Sequence, residues 1–296
     1  MNADRIQGWS RSLIFLGLIF LSSVLASIVG MGFCMVLFDD LVTGLSGGSL
    51  PTDTSSWWQL HVQNFFSQAI GFGAVAWMAM RLWGRAALVG LPGRPIGRHL
   101  TLLLLATVAT VVSGPLLMAS YELNAWLIPE GGLLESWFKP TEDMLEELIA
   151  FMASGDGVLR RAVIVFSIAA LPGIFEELSF RGVLQPLLIR ATGSAFWGIA
   201  IASLVFSAIH FQFYGFLPRV LLGALFGWLA HRTGSLIPGM VAHFVNNALA
   251  AVTLWVTGSM TEDILELTPV VLLTSTALTI ASVYGVNRVI QGGRPA

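Results

Sequence analysis

Apolar runs of about twenty residues recur along this chain of 296 residues, and they limit the folds that it can adopt. Such runs are long enough to cross a bilayer, and a backbone in lipid satisfies its hydrogen bonds within helices or closed barrels. Only 11% of the residues are charged, well below the roughly one quarter usual in soluble domains. We therefore predict an all-α, polytopic membrane helix bundle. About eight transmembrane helices are expected, at residues 12–38, 60–80, 101–119, 161–189, 195–213, 216–231, 236–257 and 268–287.

The distribution of charge predicts the orientation of these helices. With the N-terminus in the cytoplasm, ten of the fifteen basic residues fall on the inner side and fourteen of the seventeen acids on the outer side. Basic residues favour the cytoplasmic side of a membrane. We expect an integral membrane protein with both termini in the cytoplasm, and the excess of arginine over lysine suggests a bacterial inner membrane. The single cysteine, Cys34, excludes an intrachain disulfide and a cysteine-based metal cluster.

Four regions are expected from this pattern: membrane helices 1–3 at 1–120, an extracytoplasmic loop at 121–158, a helix bundle at 159–258, and a last helix with a cytoplasmic tail at 259–296. The loop contains TEDMLEELIAFMA, whose apolar residues recur at helical spacing, and Thr141 is the predicted N-cap of this helix. Two interpretations remain open: a lid on the membrane surface and a packed connector, with the connector favoured.

Three charged residues interrupt the fourth apolar run, in the sequence FEELSFRG. Charges inside a membrane usually face the interior of a bundle or a water-filled cavity. Glu177 and Arg181 are four residues apart, so on a helix they share a face and pair, whereas Glu176 points about 100° away. This spacing indicates that Glu177 and Arg181 hold structure and that Glu176 is free for chemistry. A single structural ion-pair cluster is the alternative.

Two histidines lie in later apolar runs. His210 follows Phe206 by one helical turn, and His243 precedes Asn247 by one turn. Each alone is compatible with a packing or interhelical role. Counted at about 1.5 Å per residue from the inner ends of their helices, His243 lies about 10 Å deep and His210 more than 20 Å deep. Asn64 and Gln68, four apart in the second run, are a weaker signal.

Taken together, these side chains are the ones that water-activated hydrolysis requires. A glutamate takes the proton of a water, a histidine orients that water or protonates the leaving amine, and a second histidine with an asparagine stabilises the oxyanion. The alternative is a non-catalytic membrane scaffold or immunity-type factor with a polar core.

The pattern of Glu176-Glu177-x-x-x-Arg181, Phe206-x-x-x-His210 and His243-x-x-x-Asn247 resembles the three motifs of the CPBP (CAAX protease and bacteriocin-processing, or Abi) family of intramembrane proteases. The Ras-converting CAAX endopeptidase is a eukaryotic relative. The resemblance covers about Leu171 to Ala250 and implies an eight-helix membrane endopeptidase.

The resemblance also implies roles for individual residues. Glu176 would activate water with the help of His210, while His243 and Asn247 would form the oxyanion site and Glu177, Arg181 and Phe206 would support them. Family members are described both as metalloproteases and as metal-free glutamate proteases. Glu176, His210 and His243 could ligate zinc, although the chain has no HExxH motif and the metal-free form is favoured. The expected partners are the lipid bilayer and a peptide or protein substrate near it, not nucleic acid.

Overall fold

The computed structural model describes residues 3–38, 53–83, 96–257 and 266–292. Within these ranges the chain forms ten helices and no strand, which confirms the all-α prediction. The helices are α1 (Ala3–Leu37), α2 (54–83), α3 (Ile96–Val112), α4 (Gly114–Trp126), α5 (Leu133–Met152), α6 (Val158–Thr192), α7 (Ala195–Ala208), α8 (Phe216–Thr233), α9 (Ile237–Thr257) and α10 (Pro269–Gln291).

Fewer helices than predicted qualify as membrane spans by length and composition. Four qualify in the described part of the chain, namely α1, α6, α9 and α10. A fifth is obtained if Leu100–Val112 and α4, which meet at a bend of 42°, count as one span. The predicted count of eight is not reached because α7 has only 14 residues, while α2 and α8 carry polar side chains such as Gln68 and Arg219.

The surface of the molecule is typical of a protein surrounded by lipid. Large apolar side chains are exposed along several helices, among them Phe20, Trp77, Leu104 and Leu273. A surface of this kind is unfavourable in water and favourable in hydrocarbon. The exposed residues therefore support the predicted membrane environment.

Helix α6 lies at the centre of the bundle and contacts α1, α2, α7, α8 and α9. Small residues allow these close approaches. A methyl group at Gly198 would lie 2.7 Å from the backbone nitrogen of Ile189, and one at Gly173 would lie 3.2 Å from the carbonyl oxygen of Met240. Tight contacts through small residues are the usual way in which helices pack in membranes. They bring the polar residues of three separate helices together around α6.

Two π-helical segments, Val165–Ala170 and Phe180–Leu184, flank the turn of α6 that carries the paired glutamates. A third, Ser67–Ala74, lies in α2. Such segments widen the helix locally and are frequent at functional sites.

The N-cap predicted at Thr141 is wrong. Helix α5 begins at Leu133, with Gly132 as its N-cap, and both Pro140 and Thr141 lie inside it. Tertiary packing explains the earlier start, because the ring of Phe138 stacks on that of Phe213 with centroids 4.1 Å apart. This contact stabilises the turn before the proline, where sequence signals alone favour a helix end.

Candidate active site

The predicted pair of Glu177 and Arg181 is present and completely buried. Arg181 Nη1 donates to Glu177 Oε1 at 2.7 Å, and Nη2 donates to the carbonyl of Gly223 at 3.0 Å. The guanidinium carbon also lies 4.6 Å from the ring centroid of Phe206 and 5.5 Å from that of Phe226. A buried charge requires such compensation, and Arg181 receives it from a carboxylate, a carbonyl and aromatic faces.

His243 is attached to the same carboxylate. Its Nδ1 lies 3.1 Å from Glu177 Oε1, and its ring stacks on Phe226 with centroids 5.1 Å apart. Because an ionised carboxylate only accepts hydrogen bonds, Nδ1 carries the proton of this contact. The opposite nitrogen, Nε2, lies 3.9 Å from Glu176 Oε2.

His210 reaches Glu176 from the connection that follows α7. Its Nδ1 lies 2.7 Å from the carbonyl oxygen of Phe206, so Nδ1 donates here as well. Its Nε2 lies 4.0 Å from Glu176 Oε2. The backbone of Phe211 has a φ of 56°, in the left-handed region, and it turns the chain away directly after the histidine.

The two oxygens of Glu176 have different surroundings. Oε1 accepts a hydrogen bond of 2.9 Å from Gln68 Nε2, whereas Oε2 is buried without a hydrogen-bond partner in the described structure. The gaps of 3.9 and 4.0 Å from Oε2 to His243 and His210 are too long for direct hydrogen bonds. Two hydrogen bonds of about 2.8 Å that meet at about 90° span about 4 Å, so the geometry suits one bridging oxygen atom.

Asn247 lies on the wall of the same cavity. Its Nδ2 donates to the carbonyl of Ile168 at 3.1 Å, and its Oδ1 accepts from Asn246 Nδ2 at 3.2 Å. A carboxamide carries two N–H groups, so one donor of Asn247 remains after the bond to Ile168. The structure therefore brings all four residues predicted as catalytic to one cavity.

The cavity has a volume of about 380 Å³. Apolar side chains such as Pro172, Leu222 and Leu254 make up much of its wall. Cavities of this size with a few convergent polar groups are typical of binding sites for small groups or side chains.

Sequence reasoning assigned no role in the site to several polar residues, among them Gln68 and Arg219. Gln68 contacts Glu176 directly, and Arg219 lines the cavity from α8. The signal for Gln68 was its spacing of one turn from Asn64, which donates to Ser167 on α6. Arg219 was visible as a basic residue inside an apolar run, but its guanidinium contacts Gln212 in the His210–Phe216 connection, a pairing that sequence does not reveal.

Helix α5 covers part of the cavity through Ile149 and Met152. Its last carbonyls accept hydrogen bonds from the rest of the molecule: Met152 from Trp57 at 2.9 Å and Ala153 from Trp255 at 2.9 Å. Near its middle, Glu142 accepts from the backbone N–H of Tyr214 at 3.2 Å, and burial raises the pKa of this carboxyl group. These contacts pack the middle and the end of α5 against the rest of the molecule.

The sequence left open whether this site binds a metal ion. In the described part of the chain, no group of three His, Cys, Asp or Glu side chains is arranged to hold one. Ligand atoms around zinc lie about 3.3 to 3.5 Å apart, since each is about 2.0 to 2.2 Å from the metal. The gaps of 3.9 and 4.0 Å around Glu176 Oε2 are wider than that, so these residues do not fit zinc as they stand.

Comparison with known protein families tests the resemblance of the three motifs to those of the CPBP family. Residues 159–249 match the family described as type II CAAX prenyl endopeptidase Rce1-like. Over this segment, which is less than a third of the chain, the sequence is similar to the CAAX protease family. The Rce1-like segment extends from the start of α6 into α9 and contains every residue of the three motifs. The match to this family and the candidate spans support an integral membrane protein.

A curated relative matches a similar length of sequence. The uncharacterized protein YpbD of Bacillus subtilis (strain 168) is 35% identical over 80 residues, which are 26% of this chain and 38% of that protein. The chain thus covers little more than a third of this relative. No solved structure gives a significant match.

Proposed function

We propose that this protein is an intramembrane endopeptidase that hydrolyses a peptide bond of a membrane-associated peptide or protein. The observation that carries the proposal is the position of Glu176 Oε2, a buried carboxylate oxygen that has no hydrogen-bond partner among the described residues and faces two imidazole Nε2 atoms at 3.9 and 4.0 Å. The similarity of the Rce1-like segment to a protease family supports it.

In the proposed reaction, a water between Glu176 Oε2 and His210 Nε2 gives its proton to the carboxylate as its oxygen attacks the substrate carbonyl carbon. The carbonyl π-bond electrons move to oxygen, and this oxyanion accepts hydrogen bonds from His243 and the second N–H of Asn247. His243 donates through Nε2 in its doubly protonated form, which Glu177 stabilises through Nδ1. The intermediate then collapses, the C–N bond breaks, and the proton held by Glu176 passes to the leaving amine.

We further propose that no metal takes part. The separations of the donor atoms around Glu176 support this view. Metal analysis of the purified protein, together with its activity after treatment with a chelator, tests the point. Loss of activity on chelation and its return with zinc would contradict it.

The same proposal includes eight transmembrane helices, with α2, α7 and α8 crossing the bilayer beside the helices that qualify by composition. Their packing against α6 supports it, since polar residues on them face the interior of the bundle, where Arg219 lines the cavity and Gln68 contacts Glu176. Both termini would lie in the cytoplasm of a bacterium, with the lipid bilayer and a peptide or protein as partners.

Comparative peptidomics tests the proposed function. Cells that produce the wild type are compared with cells that produce Glu176→Ala, with equal amounts of both proteins in the membrane. We expect peptides that depend on the wild type and vanish with the variant. If the two peptidomes are the same and the variant retains the cellular phenotype, the protein is a non-catalytic scaffold or immunity-type factor instead.

A further inference from the structure

One contact to Glu176 comes from outside the Rce1-like segment. Gln68 lies on α2, about 90 residues before that segment begins, and its Nε2 donates to Glu176 Oε1 at 2.9 Å. Both side chains are buried, with exposed fractions of 6% for Gln68 and 5% for Glu176. Gln68 Oε1 has no hydrogen-bond partner in the described structure. Its carboxamide is therefore directed at the carboxylate by a single polar contact.

The structure of α2 fixes the position of Gln68. Its π-helical segment Ser67–Ala74 includes Gln68, and two of the carbonyls there accept hydrogen bonds from neighbouring helices. Ser22 on α1 donates to the carbonyl of Gly71 at 3.0 Å, and Ser179 on α6 donates to that of Phe72 at 2.8 Å. These bonds hold the widened turn in place from both sides.

A glycine permits the close approach of α2 to the turn that carries Glu176. A methyl group at Gly73 would lie 2.5 Å from a ring carbon of Phe175, the residue before Glu176. One turn before Gln68, Asn64 Nδ2 donates to the carbonyl of Ser167 at 2.8 Å. The contact between Gln68 and Glu176 is thus one of several contacts between α2 and α6. It is the one among them that involves the proposed base.

We propose that Gln68 is a positioning residue, which holds Glu176 so that Oε2 rather than Oε1 faces the two imidazoles. The terminal torsion of a glutamate side chain is soft and nearly two-fold, so an unrestrained carboxylate samples orientations in which neither oxygen is correctly placed. A hydrogen bond to Oε1 fixes that torsion and leaves Oε2 for the water. This inference rests on the proposed function and extends the site beyond the Rce1-like segment: 159–249 contains the reacting groups, and α2 completes their alignment.

Two substitutions remove the donor in different ways. Gln68→Leu shortens the side chain and removes both polar atoms, whereas Gln68→Met keeps its approximate length and removes the donor. The protein is reconstituted in vesicles of phosphatidylethanolamine and phosphatidylglycerol and assayed with a fluorogenic peptide that spans the bond found by peptidomics. We expect kcat to fall about 10- to 100-fold in both variants, with KM within about two-fold of the wild type, because small misplacement of a reacting group has effects of this size.

Gln59→Leu is the matched control. Gln59 is a buried glutamine on the same helix that donates to Ser55 Oγ at 3.2 Å and does not line the cavity. We expect a wild-type kcat for it, even if its thermal stability drops. Wild-type kcat in Gln68→Met would overturn the inference, because it would show that only the shape of Gln68 matters.

The inference is also overturned if kcat falls in both Gln59→Leu and Gln68→Leu in proportion to the thermal stability that each variant loses. These outcomes leave the proposed function intact when Glu176→Ala abolishes cleavage in the same assay. If Glu176→Ala cleaves as fast as the wild type, the proposed function fails, and the positioning role fails with it.

Discussion

Adjacent glutamates in this molecule have different polar surroundings. Glu177 contacts the guanidinium of Arg181 and His243, while the hydrogen bond that Glu176 receives within the described structure comes from the neutral side chain of Gln68. The difference arises from the 100° between successive residues of a helix, which directs the two carboxylates to different neighbours. One carboxylate is thereby used for structure, and the other keeps an oxygen available for chemistry.

Loss of Arg181 is expected to destabilise the protein strongly. Arg181→Met leaves the buried Glu177 without its cation, and breaking a buried ion pair from one side costs about 3 to 5 kcal/mol. The free energy of unfolding of the purified protein in detergent measures the effect. Arg190→Gln is the control on the same helix, since the side chain of Arg190 is held within the described structure by a long contact of 3.4 Å to Gln7, and we expect a change within about 0.5 kcal/mol. Equal stabilities of the two variants would contradict a structural role for Arg181.

The residues proposed to react were easier to single out in the sequence than the residues that hold them. Glu176, His210 and His243 were predicted because charged or ionisable groups are costly in an apolar run and therefore stand out. Gln68 is uncharged, and its partner lies 108 positions away in the chain. Such a contact depends on how α2 packs against α6, which no local pattern encodes.

At the scale of the helices, one expectation from the sequence conflicts with the structure. If each helix began at the inner membrane surface and rose by about 1.5 Å per residue, His210 and His243 would differ in depth by about 10 Å. In the structure, the Nε2 atoms of both histidines lie within 4.0 Å of Glu176 Oε2. The reason is that α9 begins inside the bundle. Leu236, just before α9, packs beside Gly182 in the middle of α6, and a methyl group at Gly239 would lie 3.0 Å from Glu177 Oε2. Hydropathy locates apolar runs but not the level at which each one starts.

Helix ends and irregular turns could not be predicted from the sequence either. The run predicted at 101–119 is divided by the bend between α3 and α4, and α7 ends at Ala208 rather than at 213. The early end of α7 has a consequence for the site, because His210 then lies on a turn whose backbone reverses at Phe211. The π-helical segments of α2 and α6 depend on tertiary contacts such as Ser22 to Gly71, so their positions follow from packing and not from local preference.

For the molecule as a whole, the charge distribution predicts which side of the membrane each helix end faces. We replace Cys34 by alanine and introduce single cysteines at Ala3, Ser136 and Gln291, which lie in α1, α5 and α10 and are exposed. Because basic residues remain on the cytoplasmic side, a membrane-impermeant thiol reagent added to intact spheroplasts should label only Ser136→Cys. Labelling of all three is expected after permeabilisation. Labelling of Ala3→Cys or Gln291→Cys in intact spheroplasts would contradict the orientation.

The most direct test of the account compares Glu176→Gln with Glu177→Gln in hydrolysis of the fluorogenic peptide by the purified, reconstituted protein. Glu176→Gln keeps an oxygen that accepts the hydrogen bond of Gln68, so we expect it to fold with wild-type stability and to lose about 10²- to 10⁴-fold in kcat, the usual contribution of a general base. Glu177→Gln should lower stability first, through Arg181 and His243. A well-folded Glu176→Gln variant that cleaves the peptide at the wild-type rate would contradict the account.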